Sequence, residues 1–224
     1  MMPLDNAKDI AISQPILISE AAAATGLTPQ KINRLIDDEI LPRAVSVKVK
    51  NRRALRVYAL PMVKFGASDG VKLSKPTRLK AMNLIGTYTK ENWHSLRDEP
   101  GLAASLKFES GCVVVALGPK MTEAMEGLNR WIEAKQRVIQ DPDLRGGIPV
   151  IRGTRIGVYE VAQALDADGE ALVLEDFPAL SQEDLIAAKL FAIAHPQRGR
   201  PPARPARRQL ISETEVYLPR AGRL

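Results

Sequence analysis

The stretch that most limits the fold is ILISEAAAATGLTPQKINRLIDDEILP, residues 16–42, in which an alanine run meets a glycine and then a threonine–proline pair. Alanine is the strongest helix former, and a glycine after such a run ends a helix where the backbone needs a positive φ. We therefore predict a first helix that Ser19 caps and Gly26 ends. Thr28 is predicted to cap a second helix, with Pro29 in its first turn.

The predicted second helix has an apolar face formed by Ile32, Leu35 and Ile36, so its polar residues are left on the open side. Further along, VSVKVKNRRALRVYAL alternates apolar and polar residues with the period of a half-buried strand. This segment predicts a β-hairpin with a basic tip at residues 51–53 and a return strand that continues through Leu60.

Positive charge is concentrated in two segments of a chain whose net charge is +6. Residues 40–58 hold six cations and no acid, and residues 196–224 hold seven arginines against two glutamates, so the rest of the chain is net negative. Segments of this kind favour a polyanion or an acidic protein as partner, although a solvated surface would have the same composition.

Composition narrows the class of protein further. Aromatic residues make up only 4% of the chain, which argues against stacking platforms for single-stranded nucleic acid and favours an aliphatic, helical core. The first residues lack a basic region followed by an apolar one, and no run of about 18 apolar residues occurs. We therefore expect a soluble, cytoplasmic protein that is not associated with a membrane. The one cysteine, Cys112 in CVVVAL, is predicted to be a buried strand residue.

The segment from residue 66 to residue 137 shows periodic patterns but no chemistry. It predicts a helix within KPTRLKAMNLIGTY, a hairpin that turns at Ser110 and Gly111, and a helix whose buried face follows four-residue and three-residue spacings. The residues of that face are Met121, Met125, Leu128 and Ile132.

Residues 146–156, GGIPVIRGTRI, pose a choice between a phosphate-binding loop and a structural turn. Phosphate loops work because successive N–H groups converge on the anion, commonly where a strand leads into a helix. Pro149 removes one such donor and an apolar pair separates the glycines, so a structural turn is favoured. The predicted turn residues are Gly146, Gly147, Pro149, Gly153, Thr154 and Arg155, the last two as anchors of the next helix.

A final helix is predicted to start at Ser181, with Asp184 completing a capping box. Its apolar stripe is predicted to be Ile186, Leu190 and Ile193. After His195 the chain becomes rich in proline and arginine and has too few apolar residues to fold alone.

Motifs of known catalytic sites are missing from the sequence, including nucleotide-binding, metalloprotease and serine-hydrolase patterns. We expect that the protein is not an enzyme, and that it has no cofactor and no metal site. An enzyme that uses the glycine loop for a phosphorylated substrate remains as an alternative.

The N-terminal helix pair and the basic hairpin together resemble the winged helix-turn-helix of the MerR and excisionase type, over residues 16–65. The resemblance implies that the second helix reads base edges in the major groove and that the hairpin is a wing that meets phosphates. Polar residues at a helix start and exposed cations suit those roles. The predicted DNA-binding residues are Thr28, Gln30, Lys31, Asn33, Arg34, Lys48, Lys50, Arg52 and Arg53.

Several short motifs between residues 138 and 196 carry a second resemblance. They are Asp141-Pro142, Gly146-Gly147, Pro149, the block from Gly153 to Ile156, the Phe177-Pro178 corner and the helix LSQEDLIAA. This pattern resembles a small prokaryotic domain that is the antitoxin partner of PIN-like toxins. The resemblance implies a compact, mostly helical domain that dimerises.

Together the two resemblances imply the antitoxin of a type II toxin-antitoxin system that represses its own operon, as a homodimer or a larger hetero-oligomer with its toxin. PIN-type toxins resemble metal-dependent ribonucleases built around carboxylates, which an arginine-rich tail could neutralise. The predicted toxin-binding residues are Arg198, Arg200, Arg204, Arg207 and Arg208. A tail that binds only nucleic acid is the alternative for this segment, and a stand-alone MerR-like regulator or excisionase-like architectural protein is the alternative for the whole chain.

The predicted fold class is mainly α with short β-hairpins. Residues 1–66 are predicted to form the winged helix-turn-helix domain, and residues 67–137 an α+β connecting or dimerisation segment. Residues 138–196 are predicted to form the helical antitoxin-family domain, followed by the arginine- and proline-rich, toxin-binding tail at residues 197–224.

Overall fold

A computed structural model describes residues 11–197. This part of the chain is mainly α-helical with short antiparallel strand pairs, which confirms the predicted fold class. No helix within it is long and apolar enough to cross a membrane. The helices are α1 (Ile18–Thr25), α2 (Pro29–Asp37), α3 (Leu60–Gly66), α4 (Lys75–Glu91), α5 (Trp93–Asp98), α6 (Gly118–Arg137), α7 (Val158–Asp168), α8 (Glu170–Asp176) and α9 (Gln182–Ala194); the strands are β1 (Pro15–Leu17), β2 (Ser46–Val49), β3 (Arg52–Arg56), β4 (Lys107–Ser110), β5 (Val113–Ala116), β6 (Val138–Ile139) and β7 (Val150–Ile151).

The turn between α1 and α2 forms as predicted. Gly26 ends α1 with a φ of 68°, a left-handed conformation that glycine adopts without steric cost. Thr28 caps α2, because its side-chain oxygen accepts a hydrogen bond from the Lys31 N–H at 3.2 Å. The predicted cap of α1 was wrong: the helix already begins at Ile18, which places Ser19 inside its first turn.

Strands β1, β3 and β2 form an antiparallel sheet with β3 in the centre. The hairpin between β2 and β3 turns at Lys50 and Asn51, whose φ angles of 47° and 61° are both left-handed. Such a pair matches the twist of the flanking strands. The tip therefore lies one residue earlier than predicted, and Arg52 begins the return strand. That strand ends at Arg56, so the prediction that it continues to Leu60 was wrong.

One hydrophobic core joins the helix pair to the segment that follows it. It runs from Ile16 to Ala134 and also takes in Ala187 and Ala194 of α9, and α6 packs against α1, α3 and α9. The Lys64 side chain ties three helices together, because it donates to the Thr25 carbonyl at 2.8 Å and lies 3.3 Å from a Glu123 carboxylate oxygen. The core thus passes through residue 66, where a domain boundary was predicted.

A second core lies between α7, α8, α9 and the β6–β7 pair. Ser181 caps α9 as predicted, and Asp184 accepts a hydrogen bond from the Ser181 N–H at 3.0 Å. The predicted apolar stripe of α9 was wrong in its orientation, since Ile186 and Ile193 are exposed. The buried positions of this helix are Leu185, Ala187, Ala188 and Ala194.

The hairpin of β4 and β5 also departs from expectation. Cys112 is exposed in the turn between the strands rather than buried within one. The turn residues are Gly111 and Cys112, one position later than predicted, because Ser110 pairs with Val113.

Candidate nucleic-acid interface

The exposed face of α2 carries most of the polar residues predicted to read DNA. Ile32 and Leu35 are buried against the core, so Gln30, Lys31 and Arg34 are exposed on the opposite side. This division follows from the helical period, which places the apolar residues on one face. The helix therefore offers amide, ammonium and guanidinium groups on one accessible surface.

Arg53 connects the hairpin to α2. Its guanidinium donates to a carboxylate oxygen of Asp37 at 2.8 Å and to the side-chain oxygen of Asn33 at 3.1 Å. Both members of the ion pair are about half exposed, so the pair contributes little to the free energy of unfolding. Its main effect is to orient the hairpin relative to α2. The contact holds the return strand β3 beside α2, and the two elements form one continuous surface. Asn33 is accordingly half-buried and partly committed to this contact.

Three cations near the hairpin turn are available to a ligand. Lys48, Lys50 and Arg52 are exposed, and no hydrogen bond or ion pair within residues 11–197 engages their side chains. In the strand register, Lys48 lies opposite Arg53 and Arg52 lies opposite Val49. Three unpaired cations thus surround the turn, on an element that Arg53 fixes beside α2.

Two of the three acidic residues at the end of α2, Asp37 and Glu39, have cationic partners. Glu39, just beyond α2, accepts a hydrogen bond from Arg43 and forms an ion pair with Lys75 at 3.8 Å. The hydrogen bond from Arg43 and the nearby positive charges lower the pKa of Glu39 from its ordinary value. Because Asp37 is paired with Arg53, two of the acids at the end of α2 are largely neutralised by neighbours.

The GGIPVIRGTRI segment is a structural turn by its hydrogen bonding. The φ angles of Gly146, Gly147 and Gly153 are 65°, 82° and 78°, a region that residues with a Cβ rarely adopt. The Ile151 and Arg152 N–H groups donate to backbone carbonyls, at 3.0 and 2.7 Å. Those donors are therefore not free to surround a phosphate.

Polar contacts link this turn to α7. The Pro149 carbonyl accepts from the Val158 N–H at 2.9 Å, and the Thr154 hydroxyl donates to the Ile151 carbonyl at 2.9 Å. The Thr154 oxygen also accepts from the Ile156 N–H at 3.0 Å. These bonds close the turn on itself and place the start of α7.

Arg145 and Arg152 anchor this region. Arg145 donates to the Arg155 carbonyl at 3.0 Å and to Glu160 at 3.3 Å, while Arg152 donates to the Gln136 carbonyl at 2.6 Å. Arg155 contributes its carbonyl oxygen, and its exposed side chain makes no hydrogen bond or ion pair within the described range. The anchoring predicted for Arg155 belongs to Arg145. The role of Arg145 could not be predicted from the sequence, because its φ angle is 47° and no local rule places a bulky residue in the left-handed region.

The described chain ends at an anchored aromatic cluster. His195 lies 4.6 Å from the Phe191 ring and 5.9 Å from the Trp131 ring, and its carbonyl accepts from the Tyr159 hydroxyl at 2.7 Å. Burial lowers the pKa of His195, the negative charge of Glu20 raises it, and the positive charges of Lys135 and Arg52 lower it further. The predicted toxin-binding residues Arg198, Arg200, Arg204, Arg207 and Arg208 lie outside the described residues.

Comparison with known proteins shows the family of the chain. Residues 138–192 match a domain described as a protein of unknown function, DUF433. The chain is also 32% identical over 196 residues to the uncharacterized protein y4eO of Sinorhizobium fredii (strain NBRC 101917 / NGR234), an overlap of 85% of this chain and 86% of that protein. The chain belongs to the same family as that protein. No solved structure matches it.

Proposed function

We propose that this protein is the antitoxin of a type II toxin-antitoxin system and that it represses its own operon by binding DNA. The observation that carries the DNA-binding half is the continuous surface of α2 and the β2–β3 hairpin. On it, Gln30, Lys31 and Arg34 are exposed beside the unpaired cations Lys48, Lys50 and Arg52.

This surface suits the two kinds of contact that a duplex requires. An α-helix fits the major groove, where arginine, glutamine and asparagine side chains distinguish base pairs through their edges. Lysine and arginine on a neighbouring hairpin neutralise phosphates and fix the register of the protein. Both contacts are available here without rearrangement of the hairpin, since Arg53 already holds it against α2.

The toxin-binding half is supported by sequence. Residues 138–192 match the DUF433 domain. The sequence motifs in the same segment resemble those of the antitoxin partners of PIN-like toxins. The arginine-rich residues after Gln197 have the charge to pair with a carboxylate cluster of a ribonuclease. We propose that this tail enters the active site of the toxin while the folded region binds the operator.

Arg52 gives the sharpest test of the wing. In fluorescence anisotropy with duplex DNA from upstream of the reading frame, Arg52→Ala should weaken binding to all sequences alike. It should also flatten the slope of log affinity against log salt by roughly 0.9 for one lost phosphate contact. Lys189→Ala, an exposed lysine on α9, is the matched control and should keep the slope of the original chain. An equal slope for Arg52→Ala and the original chain would argue that the hairpin is not a wing.

Base reading by α2 predicts a different signature. Arg34→Ala should relax sequence choice, with a loss of about 1–3 kcal/mol of discrimination at one base position. The measurement is affinity for operators that carry each single substitution. Uniform weakening at every site would assign Arg34 to the backbone instead.

The antitoxin half is tested by co-purification. The intact chain should retain a co-expressed PIN-like protein from the same operon and abolish its ribonuclease activity. A chain truncated after Gln197 should bind operator DNA but fail to inhibit the ribonuclease. Inhibition that survives the truncation would disprove the role of the tail. DNA binding without any capture of the toxin would leave a stand-alone MerR-like or excisionase-like regulator.

A further inference from the structure

Strand β5 is an apolar strand with three of its four residues exposed, while Val115 is partly buried against the core. The exposed fractions of Val113 and Val114 are 43% and 61%, and Ala116 is exposed as well. The strand of four residues carries no charge, no proline and no bulge, three of the means by which proteins prevent an edge strand from pairing. Its exposure therefore indicates a partner.

The register of the hairpin shows which backbone groups are unused. The Leu117 N–H donates to the Leu106 carbonyl at 2.9 Å, which sets the alternation of hydrogen-bonded pairs between β4 and β5. Val113 and Val115 then direct their backbone groups toward β4. Val114 and Ala116 direct their N–H and C=O groups away from it, and no other backbone group in residues 11–197 takes them.

We propose that β5 is a dimer interface, at which the strand pairs antiparallel with β5 of a second copy of this chain. The pairing sets Val114 opposite Ala116 of the second copy, and Val115 opposite its own counterpart on the two-fold axis. This register is the one in which every outward N–H and C=O of the strand finds a partner. It joins the two hairpins into one continuous sheet.

A second copy fits this edge because a two-fold interface must be self-complementary. An uncharged strand meets itself without opposing like charges. In the proposed register, two rows of side chains cross the joined sheet with Lys107 at one end and Glu109 of the second copy at the other, and with Ala116 of one copy beside Val114 of the other at the centre. In the row between them, Phe108 lies at both ends and Val115 of each copy lies at the centre. All three rows thus have apolar centres, and the two charged rows have ends of opposite charge.

The interface is tested by the mass of the full chain in solution, measured by sedimentation velocity over a range of concentrations. The original chain should form a dimer. Val114→Lys should lower the mass to that of one chain, 24.5 kDa, because each copy then brings a lysine to the interface between the two β5 strands. Val71→Lys is the matched control, since Val71 is 53% exposed elsewhere on the surface, and it should leave the dimer intact. A far-ultraviolet circular dichroism spectrum that matches the original chain shows that Val114→Lys still folds, whereas loss of the dimer is expected to lower the melting temperature.

A cross-link tests the register directly. Val115→Cys in a Cys112→Ser background should form a disulfide-linked dimer on oxidation, since non-hydrogen-bonded antiparallel pairs bring Cα atoms to about 4.5 Å, within disulfide range. Val71→Cys in the same background should stay monomeric on a non-reducing gel. A monomeric original chain, or a dimer that Val114→Lys leaves intact, would overturn the proposal.

The interface does not depend on DNA binding, and the two can fail separately. Val114→Lys should keep the affinity of the original chain for a half-site and lose affinity for a palindromic site. If neither the original chain nor Val114→Lys binds the half-site or the palindromic site, the DNA-binding proposal fails. The mass measurements still decide whether β5 is a dimer interface.

Discussion

The contact between α1 and α6 allows a quantitative test of how the helix pair is held. At Gly127, a Cβ would lie 1.9 Å from the Ala24 carbonyl oxygen, so only a glycine permits the two helix backbones to approach this closely. We expect Gly127→Ala to push α1 away from α6 and to lower the free energy of unfolding. Gly86→Ala in α4 is the matched control, because its Cβ would meet only the terminal methyl of Met62.

Two opposing terms set the size of the effect. Alanine in place of glycine within a helix contributes about 1 kcal/mol of stability. Overpacking a filled core costs about 1–3 kcal/mol, and backbone atoms of two helices relax less readily than one flexible thioether. Gly127→Ala should therefore destabilise the fold by up to about 2 kcal/mol. Gly86→Ala should be neutral or stabilise it by up to about 1 kcal/mol, since the Met62 side chain can rotate away.

Urea unfolding followed by far-ultraviolet circular dichroism measures both variants against the original chain. The midpoint should fall for Gly127→Ala and stay or rise for Gly86→Ala. In thermal unfolding, each kcal/mol corresponds to roughly 2–4 °C for a chain of this size. If Gly127→Ala is as stable as Gly86→Ala, the close approach of α1 and α6 is not what positions the helix pair.

Two further predictions concern single side chains. Thr28→Ala removes the side-chain oxygen that accepts a hydrogen bond from the Lys31 N–H, and it should lower the free energy of unfolding by about 1 kcal/mol. Thr87→Ala, at an exposed position within α4, is the control and should not lower it. Equal urea midpoints for the two variants would contradict the capping role of Thr28. Burial lowers the pKa of His195 below its ordinary value near 6.5, so the unfolded chain takes up a proton that the folded chain resists. The free energy of unfolding should fall as the pH drops from about 7 to about 5. His195→Phe, which keeps an aromatic ring against Trp131, should reduce that fall. Parallel curves of the free energy of unfolding against pH for the variant and the original chain would show that His195 does not contribute.

Local signals account for the elements that the sequence predicted well. Gly26, Thr28 and Ser181 act through their own backbone or through residues three positions away, so their roles can be inferred without knowing what packs nearby. The same holds for the GTRI turn, where the Thr154 hydroxyl bonds within the loop. The cationic segment before Tyr58 was also visible, because charge is a property of composition.

Orientation accounts for the elements that the sequence predicted badly. The spacing of Ile186 and Ile193 indicates a helix but not which side of it is covered. Helix α9 packs against α1, α6 and α7, and its alanines, among them Ala187 and Ala188, provide the small surface that close packing needs. The apolar strand after Cys112 likewise indicates β-structure, and only the fold shows that Val113 and Val114 are left exposed.

The sequence by itself determined the helix pair, its basic hairpin, the turn at residues 146–156 and the domain that matches DUF433, because each depends on interactions between near neighbours in the chain. The tertiary structure decided that Arg53 joins the hairpin to α2 through Asp37, sixteen residues away. It also decided that α9 of the family domain packs on α1 of the helix pair. Such contacts depend on how distant segments meet, and the free energy that selects one arrangement comes from burial over the whole core.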